Sequence, residues 1–63
     1  MNTENLKQRF YKVFANLPLN LREEVILVVE RGPITWQVAR LEVDNDTDLG
    51  KIILEKLANL QII

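Results

Sequence analysis

The chain has 63 residues, 48% of them hydrophobic, and a formal net charge of −1. That length allows one domain, which buries only about 60% of the surface its unfolded chain exposes, while the hydrophobic share is too high for a disordered tail. There is no Cys, His or Ser. A disulfide framework, a cysteine-based metal site and the commonest general base are therefore excluded, and nucleophilic chemistry would have to use Thr, Tyr, Lys or a carboxylate.

Thr3 to Leu17 has the first helical period. Leu6, Phe10, Val13, Phe14 and Leu17 form one stripe at 3.6-residue spacing, and Thr3 can cap the start. Lys7, Arg9 and Lys12 flank that stripe, with Arg22 the next cation. They read either as a phosphate-facing patch with Tyr11 to stack on a base, or as a solvated face whose lysine stems cover the core edge. The solvated face is the preferred reading, because three cations make a weak electrostatic footprint. Pro18 ends the helix.

Residues 20–31 are read as a second helix. Asn20 and Glu23 have capping-box spacing, Leu21, Val25, Val28 and Val29 make an i, i+4, i+7, i+8 stripe, and Gly32 can close the end. The alternative is a β-hairpin within 25–43, suggested by the β-branched run V-I-L-V-V. Thr35 then caps a short helix to Val43, in which Trp36 reads as a core anchor rather than a stacking platform. D-N-D-T-D follows, with Thr47 or Asp46 capping a last helix over 47–60. Its apolar stripe is Leu49, Ile52, Ile53, Leu57 and Leu60, widened by Leu54. The expected fold is thus all-α, four short helices at 3–17, 20–31, 35–43 and 47–60, in a single domain.

The stretch L-R-E-E-V-I-L-V-V-E-R-G-P-I-T-W-Q-V-A-R-L-E-V, followed by T-D-L-G-K-I-I-L-E-K-L-A-N-L-Q-I-I, resembles the core of the winged-helix transcription regulators. The resemblance implies a helix-turn-helix with Ala39 as the packing alanine of its first helix and Leu54, Leu57 and Leu60 on the inner face of its second. A β-wing is not expected on this reading, and the place of the usual turn glycine falls near Glu42. The recognition face would present Asp48, Lys51, Glu55 and Asn59 behind Asp44 and Asp46, which opposes the phosphate charge of DNA. A direct DNA reader would have to use Lys7, Arg9, Lys12, Arg22, Arg40 and Lys51.

Asp44, Asp46, Asp48 and Glu55 also fall at positions 1, 3, 5 and 12 of a calcium loop. The sixth place holds Leu49 where a glycine is needed, and an acidic helix N-terminus explains the same aspartates without metal. The expectation is a non-enzymatic module without a cofactor, an accessory or regulatory subunit of transcription or other DNA machinery. It would act mainly by protein contact through Leu54, Ile62 and Ile63, with a protein partner or as a homodimer, and DNA would be the alternative partner. No run reaches the ~20 apolar residues of a membrane span, and M-N-T-E-N lacks a signal-peptide layout, so the expected compartment is the cytoplasm.

Overall fold

A computed structural model describes the backbone from residue 3 and side chains from residue 4 to residue 63; the cap expected at Thr3 lies outside the described residues. The element order is helix α1 (Thr3–Ala15), a 3₁₀ turn (Leu19–Leu21), strands β1 (Val25–Val29) and β2 (Gly32–Thr35), helix α2 (Trp36–Asp44) and helix α3 (Asp48–Asn59). The architecture is α+β, so the all-α expectation is corrected. Residues 20–31 are not a helix. They hold the 3₁₀ turn and the first arm of an antiparallel hairpin, and the hairpin spans 25–35, less than the 25–43 of the alternative.

The reason is packing. As a helix, residues 20–31 would bury Leu21, Val25 and Val28 on one stripe, but all three are exposed here. As a strand, V-I-L-V-V points Leu27 into the core opposite Ile34, and both are buried. Four residues, G-P-I-T, suffice as the partner strand. Gly32, expected to cap a helix, instead opens β2 beside the two-residue turn Glu30–Arg31 with φ +121°, a conformation that favours glycine. A bulge between Val25 and Leu27 leaves Ile26 without a partner on β2.

The other three helices form within two residues of the bounds expected from periodicity, at Thr3–Ala15, Trp36–Asp44 and Asp48–Asn59. Leu6, Phe10 and Phe14 of α1 are buried against Trp36, Ala39 and Val43 of α2 and Ile53, Leu54 and Leu57 of α3. Phe10 is the hub: its ring lies 5.9 Å from Trp36 and 6.0 Å from Phe14. Trp36 is therefore a core anchor. The Thr35 hydroxyl accepts from the Val38 N–H at 3.1 Å, capping α2. The next free N–H groups of that helix reach back along the chain, Trp36 to the Glu24 carbonyl and Gln37 to the Arg22 carbonyl.

The turn between α2 and α3 is three residues long, Asn45 to Thr47. Asp46 takes the left-handed conformation there, at φ 53°, which aspartate tolerates better than most residues. Thr47, not Asp46, is the N-cap of α3, accepting from the Gly50 N–H at 2.9 Å. The two helices approach closely at Gly50: a Cβ added to it would lie 2.6 Å from the Glu42 carbonyl oxygen. The end of α3 is a Schellman-type closure, with the Ile62 N–H on the Leu57 carbonyl and the Gln61 N–H on that of Ala58. No helix among the described residues is long and apolar enough to cross a membrane.

Candidate functional site

Most of the cations proposed for phosphate contact are engaged within the chain. Lys7 donates to the Asp46 carboxylate at 2.7 Å. That hydrogen bond, with the attraction of Asp46 behind it, raises the Lys7 pKa above its ordinary value. Arg9 donates to the Ile63 carbonyl oxygen. Arg22 and Arg40 lie over the ring of Phe14, their guanidinium carbons 4.6 Å and 5.1 Å from its centroid, and Arg40 also pairs with Asp44 at 3.6 Å. Lys12 and Lys51 remain exposed. Tyr11 donates its hydroxyl to Asp44 and makes a T-shaped contact with Phe10, which ties its ring to the edge of the core. Burial, then that hydrogen bond, raises the Tyr11 pKa.

The same contacts account for the aspartates of the calcium reading. Asp44 accepts from Tyr11 and faces Arg40, and Asp46 holds Lys7. Asp48 opens α3 at the positive end of its dipole, and Glu55 stands seven residues on, about two turns along the same helix. Among the described residues no group of three or more acidic side chains could hold a metal ion. The acidic turn is the seam that ties α2 and α3 to α1.

Of the expected protein-contact residues, Leu54 is only 2% exposed and belongs to the core. Ile62 is exposed, and Ile63 packs against the core edge. The apolar surface lies elsewhere. A groove of about 680 Å³ runs between the hairpin and α3, with Val28, Val29, Glu30 and Arg31 on one wall and Asp48, Leu49, Ile52 and Lys56 on the other. A smaller hollow continues it past Leu27 and Lys56 to Leu60. Val28 (72% exposed), Ile52 (44%) and Leu60 (60%) stand open to solvent along this line.

Sequence reasoning missed this groove because it assigned β1 to a helix. Ile52 and Leu60 were placed on the buried stripe of α3, but that stripe is wider than its neighbours can cover. The width itself is legible in the sequence and suggests contact with more than one neighbour, a second copy among them; what it does not place is the second wall, β1.

Compared with known proteins, the chain matches no family model, no curated protein and no solved structure.

Proposed function

We propose that this chain is a small non-enzymatic docking module, an accessory or regulatory subunit that works by protein contact. Its helix pair α2–α3 serves as scaffold, and its working surface is the groove between the hairpin and α3. The observation that carries this is the pair of exposed aliphatic side chains, Val28 and Ile52, on one largely apolar groove, with the exposed Leu60 on the smaller hollow next to it. Exposed apolar surface that is contiguous, unlike scattered single residues, marks interaction sites. The setting in DNA machinery follows from the winged-helix resemblance of the segment. Direct DNA reading is disfavoured, because Lys7, Arg9 and Arg40 are engaged within the chain and aspartates surround the start of α3.

Two measurements test the reading. In a mobility-shift titration with mixed-sequence duplex DNA, no binding is expected at low or moderate salt; affinity that falls steeply with salt would move the function to phosphate contact. A photo-crosslinking amino acid at Ile52 in the host cell is expected to capture a discrete protein band. A second probe at the exposed Gln8 of α1 serves as the control. Equal labelling from both positions would remove the groove as the working surface.

A further inference from the structure

The two edges of the hairpin differ. Pro33 stands opposite Val28 and has no N–H to donate, so this pair is of the non-hydrogen-bonded kind in the antiparallel ladder. The N–H and C=O of Val28 therefore point away from β2. Ile26, two residues earlier, has no partner on β2 either. Among the described residues no turn, loop or cap backbone hydrogen bond uses either residue. On β2 the corresponding outward position is Pro33 itself, a usual guard of a strand edge. On β1 the edge is V-I-L-V-V, with no charge and no proline. The bulge bends it only at the Val25 end.

The groove meets this open edge at its turn end. Val28 and Val29 both line it. Successive strand residues point to opposite faces, so a groove that touches both runs along the side of the strand rather than over one face. Its far wall offers Leu49 and Ile52 of α3. An open strand edge beside an apolar helix is the geometry that receives an added strand.

We infer that the added strand is β1 of a second copy of this chain, paired antiparallel across a two-fold axis beside Leu27. The inference rests on the docking reading above and names its partner. In this register Ile26 of each copy faces Val28 of the other, and the outward N–H and C=O of Val28 supply the backbone hydrogen bonds of each pair. Three features select a second copy. The strand carries no charge that would repel its own copy. A hairpin of two strands is marginal by itself, and joining two hairpins into a four-stranded sheet supplies the strands it lacks. The proline edge of each β2 then closes both ends of that sheet, so assembly stops at a dimer and does not grow into a fibre. The pairing also covers the exposed Val28 and lays apolar side chains against Leu49 and Ile52.

The test is sedimentation equilibrium of the full chain from micromolar to near-millimolar concentration. It is run on the wild type, on Val28→Lys, and on a synthetic chain N-methylated at Val28. N-methylation removes one edge donor and alters no side chain, so it decides the matter if Val28→Lys fails to fold. A monomer–dimer equilibrium is expected for the wild type. Both changes should weaken it by about tenfold or more with the far-UV circular dichroism preserved. Leu41→Lys, exposed on α2 rather than on the hairpin, should leave it unchanged. Amide exchange at Ile26 and Val28 should slow as concentration rises.

A wild type that stays monomeric throughout, with Val28 exchange indifferent to concentration, would overturn the inference. So would a dimer that survives both Val28 changes. If the chain is monomeric while the Ile52 probe still captures a different protein, the second-copy inference falls and the docking reading stands. If neither occurs, both fall.

Discussion

The α2–α3 pair and the hairpin are neighbours in the chain, built on opposite terms. The pair is joined backbone to backbone at Gly50, capped by Thr35 and Thr47, and filled by Trp36, Ala39, Val43, Ile53, Leu54 and Leu57, all buried. The hairpin buries only Leu27 and Ile34 and leaves Val25 and Val28 in solvent. The same residue types, Val, Ile and Leu, thus hold one half together and remain partly uncovered in the other. The lesson is that the stability of this molecule and its interaction surface reside in different elements, so each can be perturbed with little effect on the other.

The largest effect is expected from Leu57→Ala. Leu57 is 0% exposed at the centre of the core, and its truncation should cost about 2–5 kcal/mol, much of the stability of so small a domain; chemical denaturation measures it. Gly50→Ala comes next. Its methyl would meet the Glu42 carbonyl, a backbone atom that cannot rotate away, and the expected cost is about 1–3 kcal/mol in the same experiment. A loss as small as that of an ordinary surface substitution would mean that the two helices can separate without penalty.

The third prediction concerns pH. Lys7 and Tyr11 both hold their protons more tightly in the folded chain, above their ordinary values of 10.5 and 10.0. Groups shifted in this direction contribute stability that is complete below their unfolded pKa and is lost as pH rises through the folded one. The wild type should therefore melt more easily as pH climbs above about 10. Lys7→Met should lower the melting temperature at neutral pH, and the gap from wild type should close in the alkaline range. A gap that persists there would assign the effect to the lysine stem and not to its charge.

The smallest effect is expected in the hairpin. Val28→Thr on its outer face should change monomer stability by no more than about 0.5 kcal/mol when unfolding is followed at low concentration. A loss approaching that of Leu57→Ala would erase the distinction between the two regions.

Much of the helical half was legible in the amino-acid order. The stripe Leu6, Phe10, Phe14 and the caps Thr35 and Thr47 are local signals, and each appears as expected. The stretch from Asn20 to Gly32 was not legible, because two local rules conflicted. A capping box and an i, i+4 stripe argued for a helix, while a β-branched run argued for a strand. The conflict was settled by Ile34, which pairs with Leu27 across the turn. The groove could not be anticipated without that hairpin, since one of its walls is β1. The engagement of Lys7 by Asp46 was equally hidden: 39 positions separate them, and no periodicity links residues at that distance.

The sequence alone determined the α1, α2 and α3 periods, the threonine caps, the core role of Trp36 and the absence of His, Cys and Ser. Those follow from spacing within one or two turns and from composition, which any conformation inherits. Only the tertiary structure decided that V-I-L-V-V is a strand, that the aspartates of the turn are bound to Lys7, Tyr11 and Arg40, and that Ile52 and Leu60 look outward from a helix that otherwise faces the core. Each of those depends on which distant residue arrives to satisfy a backbone group, a charge or an apolar face, and proximity of that kind exists only once the chain has folded.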